Sequence, residues 1–140
     1  MPFDRILVAI DGSQGAQHAL TKAIEVAHLT GAKLMALAVE GPLPAYAATI
    51  GEVDEVKREK DSFFTLVAEG AREQAEAAGV DIEVELRPGH PAELITRYAR
   101  DHDADLVVVG HRGHFLGDYL LGSTADRVAH HAHCPVMIVK

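Results

Sequence analysis

Residues 81–86 read DIEVEL. Ile82, Val84 and Leu86 alternate with Glu83 and Glu85, a period of two that puts apolar side chains on one face of a strand and carboxylates on the other. Four other apolar runs, RILVAI (5–10), KLMALAV (33–39), DLVVVG (105–110) and PVMIVK (135–140), are almost unbroken. Unbroken runs suit parallel strands covered on both sides, whereas an alternating run suits a sheet edge with one wet face. DIEVEL is the third of the five in chain order, so an edge position for it decides how the others are arranged.

The stretches between the runs have helical period. Ala16, Ala19, Leu20, Ala23, Ile24 and Ala27 recur at threes and fours. So do Val56, Phe63, Phe64, Val67, Ala68, Ala71 and Ala75. Pro91 suits a first helical turn, with Leu94, Ile95, Tyr98 and Ala99 following on one face. A last helix carries Ala125, Val128, Ala129 and Ala132. The order is βαβαβαβαβ, which implies right-handed crossovers and a parallel sheet with helices on both faces. With strand three at an edge the simplest order is 3-2-1-4-5, and the 140 residues make a single domain, 1–140.

In that order the chain returns from one edge to the middle between strands three and four. The crevice between the carboxyl ends of strands one and four is then a switch point, where open α/β sheets bind ligands. Two segments meet there: AIDGS (9–13) and GHRGHFLGDYLLGST (110–124).

Bulk properties narrow the function. The chain is 48 % hydrophobic and 24 % charged, with a net charge of −8, so a basic nucleic-acid surface is not expected. No apolar run reaches membrane-spanning length, and MPFDRILVAIDGS lacks the pattern of a signal peptide. One cysteine, Cys134, precludes an internal disulfide and fits a reducing compartment. The expectation is a cytoplasmic protein that engages neither membrane nor nucleic acid.

GHRGHFLGDYLLGST has two readings. Gly110, Gly113 and Gly122 allow backbone amides to approach an anion, and Ser123 and Thr124 stand at a helix start, with Arg112 nearby. The alternative is a turn capped by Ser123. Asp11 likewise either accepts ribose hydroxyls or forms an Asx-turn, since Asp-Gly-Ser is strong turn chemistry. HRGH (111–114) has the HxGH form of nucleotidyl transferases, but follows the fourth strand instead of the first. His130, His131, His133 and Cys134 cluster in sequence without zinc-site spacing, and the histidines suit a helix C-terminus. There is no P-loop lysine, no GxGxxG and no GxSxG, and Ser13 and His18 lie on different helix faces. The residues offer binding chemistry and no nucleophile–base pair. Any nucleotide hydrolysis is expected to be slow.

Two segments carry further expectations. PVMIVK is the other sheet edge, apolar and unbroken, and such an edge invites pairing. A homodimer through strand 135–139, sealed partly by Val136–Val139, is expected. GPLPAYAATIGE (41–52) reads as a flap over the carboxyl end of the sheet, or as a plain connection.

Taken together, ILVAIDGS (6–13), GHPAELI (89–95), GHRGHFLGDYLLGST (110–124) and HHAHCPVMIVK (130–140) resemble the universal stress protein family. The resemblance covers the whole chain in order. It implies a Rossmann-like fold with strand order 3-2-1-4-5 and dimerisation through the last strand. In the nucleotide-binding branch it implies ATP or another adenine nucleotide, with a divalent ion such as Mg on the phosphates and no metal ligands assigned to the protein. Carried over by position, Asp11 and the backbone of Ala9 and Ile10 meet the adenosine, and Val39 offers backbone contacts to the adenine. Val109 and Gly110 border the ribose and phosphates. Gly113, Gly122, Ser123 and Thr124 hold the phosphate chain. The chain departs from the family in one place. Eight residues, 114–121, separate Gly113 from Gly122 where the family has nine. The resemblance thus leaves two functional expectations: a nucleotide-binding stress-response regulator, or a dimeric interaction module that has lost its nucleotide.

Overall fold

The computed structural model describes residues 3–40, 50–111 and 122–140. Nine elements alternate: β1 (Arg5–Ile10), α1 (Gln14–Thr30), β2 (Lys33–Glu40), α2 (Ile50–Ala77), β3 (Ile82–Pro88), α3 (Pro91–Asp101), β4 (Leu106–Gly110), α4 (Ser123–His131) and β5 (Val136–Val139). All strand pairs are parallel, in the order β3-β2-β1-β4-β5. The edge position expected for DIEVEL and the order that follows from it are both present.

Alternation along each strand divides the interior into two layers. Ile6, Val8 and Ile10 of β1, Leu34, Ala36 and Ala38 of β2, and Leu106 and Val108 of β4 pack with α1 and α2. Leu7, Met35, Leu37, Val39, Val107 and Val109 face the other way, toward α3 and α4. Ile6, Leu7, Leu34, Met35, Leu37, Val107 and Val108 are among the largest fully buried side chains. Each contributes about 1.5–3 kcal/mol of burial, which is why the central strands carry no polar residue between their ends.

α1 shows how local sequence sets an element. Ser13 is its N-cap, with Oγ accepting the Ala16 N–H at 3.1 Å. Ala16, Ala19, Leu20, Ala23, Ile24 and Ala27 form its buried face, as their spacing predicts. Gly31, at φ +73°, ends it by donating its N–H to the Ala27 carbonyl at 2.9 Å.

Several boundaries differ from the sequence reading. β2 runs on to Glu40, β3 covers Ile82–Pro88, β4 begins at Leu106 and β5 is confined to Val136–Val139. α2 begins at Ile50, so the flap assigned to 41–52 is corrected for its last three residues, which are helical; 41–49 lie outside the described residues. Gly51 is tolerated there because it sits in the first turn, where intrahelical bonds are incomplete. In α2, Phe64, Ala68, Ala71 and Ala75 are buried, but Phe63 is 49 % exposed. On β3, Ile82 and Val84 pack against the α1–α2 layer, whereas Leu86, level with Ala38 near the carboxyl end of the sheet, is 44 % exposed. Lys33 holds Glu83 at 2.7 Å on the exposed face, whereas Arg87, which holds Glu85 at 2.6 Å, lies over the ring of Tyr98 from α3.

Candidate functional site

β1 and β4 are hydrogen-bonded neighbours, but the chain leaves them in opposite directions: β1 toward β2, β4 toward β5. Their carboxyl ends therefore open a crevice, and a cavity of about 340 Å³ fills it. Nine of the ten residues nominated from the sequence border this one cavity. Ala9, Ile10 and Asp11 come from the end of β1, Val39 from β2, Val109 and Gly110 from β4, and Gly122, Ser123 and Thr124 from the start of α4. The tenth, Gly113, lies outside the described residues, as do Arg112 and the shortened 114–121 spacer.

The floor is apolar and the rim polar. Leu37, Val39, Ile95, Val109 and Ala125 are all buried. Asp11 and Ser123 are exposed, and Thr124 is half-buried. Asp11 is the one charged side chain among the described lining residues. Its Oδ1 accepts the Ser13 N–H at 2.8 Å, so the Asx-turn is formed, and no protein partner among the described residues engages its other oxygen. The two sequence readings of Asp11 are thus compatible: one oxygen shapes the turn, and the other has no protein partner among the described residues at the rim of the cavity.

The α4 start corrects the cap reading. Gly122, not Ser123, is the N-cap, with φ −62° and ψ 151°, and no side chain caps the helix. Ser123 falls at the first helical position, where its hydroxyl is past the place from which a cap reaches the second and third amides. The N–H groups of Ser123, Thr124 and Ala125 consequently have no acceptor among the described residues. The helix start is fixed from elsewhere. Gly122 donates its N–H to the His111 carbonyl at 2.9 Å, and His111 donates its own to the Val139 carbonyl of β5 at 2.7 Å. The two ends of the 112–121 segment are thereby joined, and α4 is aimed at the crevice with its positive dipole end foremost.

Gly110 also has a role that its motif conceals. A Cβ there would lie 2.7 Å from both the carbonyl carbon and oxygen of Gly15. The end of β4 and the first turn of α1 are in backbone contact, and Gly110 is required for packing whatever it does for a ligand.

Ser13 borders the cavity within the AIDGS segment expected there; sequence reasoning missed Ala16, Leu37, Pro91, Ile95 and Ala125, which border it too. Pro91 and Ile95 arrive because Gly89, at φ +140°, turns the chain after β3 and donates its N–H to the Glu40 carbonyl at 3.0 Å. That bond ties the start of α3 to the end of β2. The GHPAELI stretch was the available signal. The C-terminal histidines sit differently: His130 Nδ1 lies 2.7 Å from the Asp126 carbonyl within α4, and among the described residues no three metal-binding side chains come together.

Comparison with known proteins follows the same lines. Residues 2–140 match the model of the universal stress protein family. The universal stress protein YxiE of Bacillus subtilis is 32 % identical over 147 residues, covering 99 % of each chain. Among solved structures, the universal stress protein UspA from Lactobacillus plantarum superposes with a TM-score of 0.85 at 28 % identity, covering 100 % of this chain and 99 % of that one. A universal stress protein in complex with cAMP superposes with a TM-score of 0.78, also at 28 % identity, over 100 % of this chain and 99 % of that one. With its sheet order, its crevice and these relatives in agreement, the chain belongs to the universal stress protein family.

Proposed function

We propose that this protein binds an adenine nucleotide, ATP or its mono- or diphosphate, in the β1–β4 crevice, and that it works as a cytoplasmic stress-response regulator, a homodimer of one domain per chain. The observation that carries the reading is the α4 start. Three helix N–H groups without a side-chain cap, with two hydroxyls beside them, border a cavity whose floor is apolar. Such a helix end binds phosphate, and an apolar slot of this size suits a purine. The complex of a 28 % identical relative with cAMP supports the same ligand class.

In this reading Asp11 accepts the ribose hydroxyls through its other oxygen. The backbone at Ala9, Ile10 and Val39 meets the adenosine, and Leu37, Pro91 and Ile95 back the base. Val109 and Gly110 border the ribose, and Gly122, Ser123 and Thr124, with Gly113, take the phosphates. A divalent ion, if bound, would be held by the phosphates and neutralise their charge, with the Ser123 and Thr124 hydroxyls as the neutral oxygen donors beside them. No general base is needed, and turnover is slow or nil. Dimerisation is assigned to β5, whose four residues are only half-buried and whose outer edge has no strand partner among the described residues.

Mass spectrometry on protein purified without added ligand, followed by calorimetry with ATP and AMP with and without Mg²⁺, tests the ligand. Co-purified nucleotide or micromolar binding supports the reading, and Asp11→Ala should weaken it about tenfold, the value of one charge-assisted hydrogen bond. No binding of either nucleotide refutes it. Sedimentation at micromolar protein tests the assembly, and a monomeric mass refutes the dimer.

A further inference from the structure

The end of β1 is a partition. On one side of the Asp11–Ser13 turn lies the crevice cavity; on the other lies a groove of about 380 Å³ between α1 and α2, and Ile10 and Ala16 border both. At the centre of the partition is Gly12, at φ +82°, with no side chain to hold it in place. The hydrogen bonds of the turn, Ser13 N–H to Asp11 and Ala16 N–H to Ser13, lie within β1–α1. They shape the turn without bracing it from outside.

The outside brace comes from α2. A Cβ built on Gly12 would stand 2.5 Å from Phe63 Cζ and 3.1 Å from Val67 Cγ2, so the tip of the Phe63 ring occupies the place a side chain at Gly12 would take. Phe63 is otherwise a poor core residue, 49 % exposed where Phe64 beside it is 8 % exposed. Phe64 fixes its direction: the two rings meet edge to face, 5.3 Å between centroids and 84° between planes. Phe63 meets Phe64 through its ring and the Gly12 turn through its tip. A large apolar side chain is thus held half in water with its tip against the residue that follows Asp11.

We propose that Phe63 is a positioning residue for the crevice: its ring braces Gly12 and thereby holds the Asp11 carboxylate where ribose hydroxyls are received. The ligand half of this statement rests on the nucleotide reading above; the brace itself does not. Phe63 touches the cavity only through the turn, as a supporting residue acts through the group it orients.

Two measurements on the full chain test it. The first needs no ligand. In Phe63→Ala, the Ser13 amide proton should exchange with water about tenfold faster by NMR, while the Leu7 and Val8 amides of β1 keep their protection. Phe63→Leu, which retains a bulky apolar tip, should restore the Ser13 rate. The second uses AMP and 2′,3′-dideoxy-AMP. Phe63→Ala should weaken AMP about fivefold to tenfold, yet leave the dideoxy analogue within twofold, and should add nothing in an Asp11→Ala background, because coupled residues are non-additive. An unchanged Ser13 exchange rate overturns the proposal. So does an equal loss for both ligands, or an additive loss in the double variant. Faster Ser13 exchange in a protein whose wild type binds no nucleotide upholds the brace and refutes the nucleotide reading alone.

Discussion

Replacing Gly110 with alanine should destabilise the ligand-free protein, and the reason is spatial. Gly110 is not among the glycines at positive φ, so its backbone is open to any residue. An added Cβ, however, meets the carbonyl carbon and oxygen of Gly15 at 2.7 Å and the Ala16 nitrogen at 3.2 Å. These are backbone atoms and cannot rotate aside as a side chain would. Overpacking of this kind costs about 1–3 kcal/mol. For a domain of this size that lowers the melting temperature by about 3–10 °C. Gly31 is the opposite case: it has φ +73° and nothing within 4 Å of an added Cβ. Its demand is conformational, so asparagine, which tolerates the left-handed region, should serve at Gly31. At Gly110 asparagine should be worse than alanine. Scanning calorimetry on Gly110→Ala, Gly110→Asn, Gly31→Ala and Gly31→Asn separates the two demands. If Gly110→Ala melts within about 1 °C of wild type, where an overpacked site predicts a larger loss, the steric argument is wrong and Gly110 serves the ligand alone.

Ser13→Ala removes the α1 cap and should cost about 1 kcal/mol in a denaturant melt, with Ser13→Asp recovering most of it. The Lys33 ammonium, through its hydrogen bond and then its charge, holds Glu83 below its ordinary value of 4.5. This contribution is present above the unfolded value and is lost as pH falls through the lower folded one; Lys33→Met should raise the Glu83 midpoint in an NMR titration. Tyr98 is shifted the other way, its phenol raised above the ordinary value of 10.0 mainly by burial and next by Glu85. Its neutral form is favoured by the fold, so stability is lost as pH rises through the raised value. Ultraviolet titration should show one tyrosine lagging, and Tyr98→Phe should remove the lag.

What was readable in the sequence was periodicity and its consequences. The alternation in DIEVEL placed one strand at an edge, and the rest of the sheet order followed from chain connectivity. The crevice and its two bordering segments followed from that order in turn, and the resemblance to the universal stress proteins named the individual residues, Val39 of β2 among them, nine of which fall around one cavity. Contacts between segments distant in sequence were not readable. Pro91 and Ile95 reach the cavity through the Gly89-to-Glu40 hydrogen bond, and nothing near Pro91 announces a partner at the end of β2. Phe63 has the spacing of a core residue yet is 49 % exposed, and its ring tip lies against the Gly12 turn, a contact its spacing does not announce. Ser123 and Thr124 stand at the α4 start as expected, but the cap falls one residue earlier than the Ser123 alternative had it, on Gly122, whose N–H the His111 carbonyl accepts.

That single-residue difference bears on where an anion can sit. Three helices begin at the crevice: α3 opens on Pro91, which has no N–H to offer, whereas α1 and α4 begin in segments with glycine and hydroxyls. At α1 the Ser13 hydroxyl takes the Ala16 N–H, and Asp11, two residues before the cap, adds a negative charge beside the helix end. A phosphate there would compete with the cap and be repelled by the carboxylate. At α4 the cap is a glycine, so the first amides keep their hydrogens, and the nearest side chains, Ser123 and Thr124, are neutral donors. The same crevice therefore offers a carboxylate suited to hydroxyl groups on its β1 side and open amides suited to an anion on its α4 side. A ligand that satisfies both carries hydroxyls for the carboxylate and, beside them, a negative group for the amides, with an apolar ring on the other side of the hydroxyls for Leu37 and Ile95. The nucleotide proposed above has its parts in this order, and that proposal rests on which residue caps α4 more than on how many glycines precede it.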